Sequence, residues 1–286
     1  MITEKVTFIN TRGQSIDLSN RRPFLLQSVD GKGNITATVQ TQKAPYQDGA
    51  TYIDSELEVR PMALNVNIHS SSADELEELK QSLTTVFNPK LGPGKLIYSK
   101  GATVREIKTT VESIVQPVGK ENHGLRFQRT VINLLCPSVF FEDINSENYK
   151  LEDFVGNFRF KFRFPVRFAT RGDSRILLNK GDVPTPIVVE FRGAAVNPKI
   201  TNVTTGEFIR VNRTIPPGYK LVLDTSFGNK RVEIIAPDGV VENAFHYIDL
   251  NSTFFSLDVG ETKFSFVAEG GKPEVYVEYK HKYLSV

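Results

Sequence analysis

The sequence predicts a mainly β protein in two parts, an α+β amino-terminal domain of β-sheets plus one helix and a carboxyl-terminal β-sandwich. Three observations predict it. Short apolar runs recur between Pro186 and Phe266 at intervals that fit successive strands, with turn-forming residues between them. A single segment, Ala73 to Phe87, carries helical periodicity. A polar and acidic stretch, Glu142 to Asp153, separates the two regions and sets the expected domains at residues 1–142 and 143–286.

In chain order, residues 1–68 read as strands with long polar connections. Ile35, Ala37 and Val39 alternate with polar residues. The chain then enters Pro45-Tyr46-Gln47-Asp48-Gly49-Ala50, where Pro and Asp-Gly interrupt pairing and mark a loop or the tip of an extended arm. Ile53, Leu57 and Val59 fall opposite Asp54, Glu56 and Glu58, and Leu64, Val66 and Ile68 alternate with Asn65, Asn67 and His69. Both patterns predict half-buried strands. The helix begins at a capping-box signature, Ser72 with Glu75, and presents Leu76, Leu79, Leu83, Val86 and Phe87 as one apolar stripe. Asn88-Pro89 stops it. Leu96 to Tyr98, Val104 to Val115 and Leu125 to Leu135 then supply strands.

Beyond the acidic stretch, Phe158, Phe160, Phe162 and Phe164 alternate with Arg159, Lys161 and Arg163. The first reading is a sandwich edge strand with an aromatic core face and a charged outer face. The alternative is an intersubunit contact or an anionic partner. Ile187, Val189 and Phe191 share a face opposite Val188, Glu190 and Arg192. Runs at Ile200 to Val203, Phe208 to Val211, Leu221 to Leu223, Val232 to Ile235 and Phe264 to Val267 follow. Pro216-Pro217-Gly218 predicts a turn with positive φ at the glycine, and Gly228-Asn229 predicts a two-residue hairpin turn. Val275, Val277 and Tyr279 form a last alternating strand.

Composition narrows the function classes. The 286 residues carry a formal charge of +2, which lends no support to nucleic-acid affinity. The single cysteine, Cys136, excludes an intrachain disulfide and sits among apolar neighbours that predict burial. No secretory leader pattern or membrane-length apolar run is read, so folding in a reducing cytoplasm is expected. Four dispersed histidines without a cysteine pair give no metal-ligand spacing. Gly92-Pro93-Gly94-Lys95 fails as a phosphate loop, because Leu96 follows the lysine and Pro89 stands where the upstream glycine belongs. The strongest enzymatic case is the carboxylate row Asp54, Glu56 and Glu58, as in a β-sandwich glycosidase. It lacks an aromatic sugar platform, and a solvated face or an acidic subunit interface is the preferred reading. No catalytic residue, cofactor or metal site is therefore assigned.

Two sets of motifs carry a resemblance. Asn179-Lys180-Gly181-Asp182, Pro186 to Gly193, Asn197 to Asn202, Thr205-Gly206-Glu207, Leu221 to Thr225, Gly228-Asn229-Lys230 and Ser252 to Gly260 occur in that order. The amino-terminal half adds the Asp48-Gly49 loop, Arg60-Pro61-Met62-Ala63-Leu64, one amphipathic helix, and the Asn88-Pro89 to Gly94-Lys95-Leu96 connection. In these features the chain resembles the distal tail protein family of siphophages and prophages of Gram-positive hosts.

The resemblance implies a galectin-like sandwich and a non-enzymatic hub at the virion tail tip, synthesised and assembled in the bacterial cytoplasm. It also implies a hexameric ring whose channel passes DNA without specific binding, with no membrane contact. The implied partners are the major tail tube protein, a tail-associated fibre or lysin, and a receptor-binding protein. A ring that closes needs two different complementary surfaces per subunit. The interface candidates are Pro45, Tyr46, Asp48, Gly49 and Tyr52 on the arm, with Arg159, Lys161 and Arg163. A carbohydrate-binding module for host cell-wall saccharide is the alternative function, and a glycosidase the third.

Overall fold

The computed structural model describes residues 4–151 and 173–286. The chain is mainly β and forms two compact units, Met1–Ile144 with Tyr283–Val286, and Asn145–Lys282. The Phe158 to Phe164 alternation lies outside the described residues.

In the first unit seven strands pair in the order Ser15–Leu18, Glu4–Ile9, Gly94–Lys100, Thr103–Val115, Phe127–Cys136, Arg60–His69 and Phe24–Asp30. A parallel bridge between Ser19 and Leu25 brings the ends of this path together, so the sheet curls around one interior. The thirteen-residue strand Thr103–Val115 pairs with Gly94–Lys100, with Phe127–Cys136 and with Phe141–Asp143, and a register shift between Val111 and Ser113 bends it along the second of these. Alternation decides which side chains enter. Met62, Leu64, Val66 and Ile68 are buried together with Ile132, Leu134 and Cys136, while Asn65, Asn67 and Asn133 face outward.

The helix Ala73–Val86 packs on this core. Ser72 Oγ accepts the Glu75 amide at 3.2 Å, as the capping signature requires. The Glu75 carboxylate reaches one residue further back than that signature predicts and accepts the Ser71 amide at 2.7 Å. Leu76, Leu83, Val86 and Phe87 are buried, and the Phe87 ring stacks on Phe8 with centroids 4.4 Å apart.

The second unit is a sandwich. One sheet has the order Glu147–Lys150, Glu274–Tyr279, Val188–Arg192, Lys220–Asp224, Arg231–Ile235 and Val241–Asn243. The facing sheet has Asp173–Asn179, Gly260–Val267, Lys199–Asn202 and Phe208–Arg210, and a small third sheet of Thr214–Ile215, Ala195–Val196 and Gly270–Gly271 belongs to the same unit. Val189, Phe191, Leu221, Leu223, Val275 and Val277 from the first sheet share a core with Leu177, Ile200, Phe264 and Phe266 from the second. Phe191 and Phe266 meet edge to face at 6.1 Å.

Gly218 has φ 82°, the left-handed conformation expected of it. The two-residue turn at Gly228-Asn229 is corrected. Asp224 pairs with Arg231, which leaves a six-residue connection between those strands. The Asp224 carboxylate holds this wider loop by accepting the Ser226 amide at 2.9 Å and the Arg231 guanidinium at 3.0 Å.

Burial pulls the Asp224 pKa upward, but the Ser226 and Arg231 donors outweigh it, and the carboxyl titrates below the ordinary aspartate value. The folded pKa is depressed, so the stabilisation is present above the unfolded value of about 4 and is lost as pH falls through the folded one. Melting the protein between pH 6 and pH 2 should show the sandwich weakening below about pH 4, with a shallower slope in Asp224→Asn. An unchanged acid slope in the variant would locate the proton uptake elsewhere.

Candidate subunit interface

Between Asp30 and Arg60 the chain leaves the first unit's sheet and forms a two-stranded ribbon of Ala37–Gln42 and Thr51–Leu57. These strands pair with each other, and every residue of both is exposed. The register places Ala37 opposite Leu57, Val39 opposite Ser55 and Thr41 opposite Tyr52. A shift between Gln40 and Thr41 leaves Ile53 as the extra residue.

The ribbon is amphipathic. One face carries Ala37, Val39, Tyr52 and Leu57, with Val39 55%, Tyr52 61% and Leu57 38% exposed. The other carries Thr38 beside Glu56 and Gln40 beside Asp54, and Thr38 donates to the Glu58 carboxylate at the ribbon's base. The sequence predicts Ile53, Leu57 and Val59 to be half-buried, and the structure corrects this. Alternation reports a face that needs cover, and this chain's own described residues leave that face open. An isolated two-stranded ribbon is at best marginal in water, and both outer edges here present unpaired peptide groups.

At the tip, Gln47 N donates to the Ala44 carbonyl at 3.2 Å and Gln47 Oε1 accepts the Ala44 amide at 2.9 Å. Pro45, Tyr46 and Asp48 lie within or beside this turn. Tyr46 is fully exposed at φ 63°, and Gly49 at φ 78° turns the chain into the returning strand. Four of the five arm candidates thus gather at the tip, and Tyr52 lies on the apolar face. Arg159, Lys161 and Arg163 lie outside the described residues.

The arm's root is fixed by Gly31, which has φ 84°. A Cβ there would stand 2.2 Å from the Pro61 carbonyl oxygen, while the Gly31 carbonyl accepts Arg60 Nη1 at 2.9 Å. Gly31→Ala is therefore expected to cost about 1–3 kcal/mol from backbone strain, with further loss from the clash. Gly13→Ala supplies the control, since Gly13 has φ 77° but open space around its Cβ position. Denaturation midpoints should fall further for Gly31→Ala; equal shifts would remove the close approach as a cause.

Chemistry elsewhere is sparse. Asp54, Glu56 and Glu58 stand exposed on the ribbon. Among the described residues no group of His, Cys, Asp and Glu is placed to hold a metal ion, and no helix is long and apolar enough to cross a membrane. Cys136 is buried with Sγ 3.5 Å from Met62 Sδ, and burial pushes its thiol pKa up, which suppresses the thiolate. His281 is buried and its Nδ1 accepts the Lys180 amide at 3.2 Å.

Comparison with known proteins is consistent with both halves of this architecture. Residues 11–136 match the family model described as a phage tail protein RIFT-related domain. Residues 180–283 match the one described as the siphovirus-type tail component, C-terminal domain. No curated protein sequence matches the chain. Among solved structures, the chain is similar to the Dit protein of phage SPP1, described as a paradigm of the hub adsorption apparatus in phages infecting Gram-positive hosts. The TM-score is 0.71 at 12% identity, covering 97% of this chain and 98% of that one. It is also similar to a chain of the phage p2 baseplate in its activated conformation, with a TM-score of 0.57 at 8% identity and full coverage of both chains. These likenesses establish the shared fold.

Proposed function

Because the chain belongs to the siphovirus-type tail component family, we propose that it is the structural hub of a phage or prophage tail tip. In this reading six copies close into a ring through their first units, the second units lie outside it, and DNA passes through the centre without specific binding. The tail tube protein docks on one side. A tail-associated fibre or lysin, with a receptor-binding protein, docks on the other. The protein is made and assembled in the bacterial cytoplasm and does its work by holding parts together, without catalysis.

The observation that carries this reading is the exposed ribbon. Its apolar face and unpaired edges supply one of the two different surfaces that a closing heterologous contact requires, and strand addition supplies the bonding. Sedimentation equilibrium with negative-stain imaging tests it. A species near six times the 32.1 kDa chain mass, seen as rings, is expected. A single-chain mass at every concentration, including with tail tube protein added, would refute it.

A further inference from the structure

If the ribbon is the donor surface, the same unit must also carry an acceptor, and one region complements it in polarity and charge. A cleft of about 370 Å³ lies between the loop 116–126 and the outer sheet face, lined by Gln27, Asn65, Asn67, Pro117, Asn122 and Arg129. The side-chain amides of Gln27 and Asn67 there offer donors and acceptors suited to an unpaired strand edge, while Asn65 Nδ2 already serves Ser28 and Asp30. The loop bordering the cleft exposes two isolated apolar side chains, Val118 at 88% and Leu125 at 83%. It is also basic, with Lys120 and Arg126 exposed against the one carboxylate of Glu121, and Arg129 is exposed on the adjoining strand. The ribbon is the opposite, since residues 35–59 hold Asp48, Asp54, Glu56 and Glu58 against the one cation of Lys43.

Position supports the match. The ribbon leaves the sheet where Asp30 pairs with Ala63, whereas the loop returns at the other end of the strand Arg60–His69, where His69 pairs with Phe127. Donor and acceptor at opposite ends of one sheet give a head-to-tail contact that can propagate around a ring, unlike a self-complementary patch. At about 3.3 Å per residue the ribbon reaches roughly 30 Å from its root, enough to cross a neighbouring sheet of this size.

We infer that the cleft beneath loop 116–126 is the acceptor for the ribbon of a second copy of this chain, an assignment that rests on the ring reading above. Val39, Tyr52 and Leu57 cover Val118 and Leu125, while Asp54, Glu56 and Glu58, on the ribbon's opposite face, draw it toward the basic Lys120, Arg126 and Arg129 without direct pairing. Opposed charge steers the approach, and apolar burial supplies affinity.

The test uses full-length chains carrying single exposed cysteines, because native Cys136 is buried. Val39→Cys protein is mixed with Val118→Cys protein and treated with a short bismaleimide; Val241→Cys, in the second unit, is the control partner. Cross-linking to Val118→Cys is expected at least ten times faster than to the control. Adding Arg126→Glu and Arg129→Glu to the acceptor should abolish that advantage, and Glu56→Lys with Glu58→Lys in the donor should restore it. Melting temperatures matched to the parent chain guard against misfolding. If the parent assembles and loses assembly without its ribbon, yet the two rates are equal, the acceptor assignment falls and the ring reading stands. If the parent never assembles, both fall.

Discussion

A chain in which residues 37–57 are replaced by an Asn-Gly turn is expected to fold normally and to remain a monomer. The shortened connection is sterically natural, because the Glu58 amide already donates to the Thr36 carbonyl at 2.9 Å and a two-residue Asn-Gly turn suits closely paired strands. No residue of the ribbon belongs to the first unit's buried core, so its removal should move the melting temperature by no more than about 2 °C. Assembly should respond very differently. Val39, Tyr52, Ile53 and Leu57 are each more than a third exposed in the isolated chain, and covering such side chains contributes about 1.5–3 kcal/mol apiece. Even after ordering costs, losing all four should weaken association by at least ~1000-fold. Mass photometry across a concentration series would read this directly, and a deletion chain that still assembled like its parent would move the interface elsewhere.

This prediction was half legible in the sequence. Pro45 with Asp48-Gly49 marked a loop or the tip of an extended arm, because those residues constrain their own backbone and leave a local signature. The exposure of Leu57 and Ile53 was not legible. Their alternation with Asp54 and Glu56 is the same pattern that Leu64, Val66 and Ile68 make with Asn65 and Asn67, and only the latter set meets a core within the chain. Period-2 patterning encodes an apolar face but not its partner. The helix could be read almost to the residue, since Ser72 and Asn88-Pro89 act through bonds within a few positions of themselves.

The turn at Gly228-Asn229 escaped for a related reason. Its width is set by the Asp224 carboxylate, four residues upstream of the glycine, reaching Ser226 and Arg231. The cleft beneath loop 116–126 depends on strands far apart in sequence, so no local motif announces it. Its basic and apolar loop residues were visible, but their juxtaposition with Gln27, Asn65 and Asn67 required the fold.

Arg60 carries the second large expectation, and the Arg-Pro-Met sequence gave no hint of its burial. The residue is 2% exposed, and its charge is met by three main-chain carbonyls. Nε donates to Val139 at 2.9 Å, Nη1 to Gly31 at 2.9 Å and Nη2 to Leu284 at 2.6 Å. The Phe141 ring lies 5.1 Å from Cζ. Burial pushes its pKa down, yet an arginine starts so high that it stays charged. One side chain thus ties the ribbon's root, the segment before Phe141 and the terminal residues Tyr283–Val286 into the first unit. Arg105 assists by stacking on Tyr283 at 3.4 Å and donating to the Ser285 carbonyl.

Arg60→Met would keep the bulk but take the donor from three carbonyls, one buried and two part-buried, a loss of about 3–5 kcal/mol on the scale of charge-assisted hydrogen bonds. For a unit of this size that lowers its melting transition by roughly 10–15 °C, while the sandwich transition should hold. Arg60→Lys should fall between, because a point charge on a flexible stem cannot serve three fixed directions at once. Scanning calorimetry separates the transitions, and hydrogen exchange at residues 31–33 and 284–286 locates the damage. The Gly31 bond adds a consequence for assembly: a ribbon loosely rooted must be ordered at the moment of docking, so Arg60→Met should also weaken association at temperatures where the first unit is still folded. An Arg60→Met chain that melted and assembled like its parent would mean that the three carbonyls find other donors, and the clasp would lose its role in aiming the ribbon.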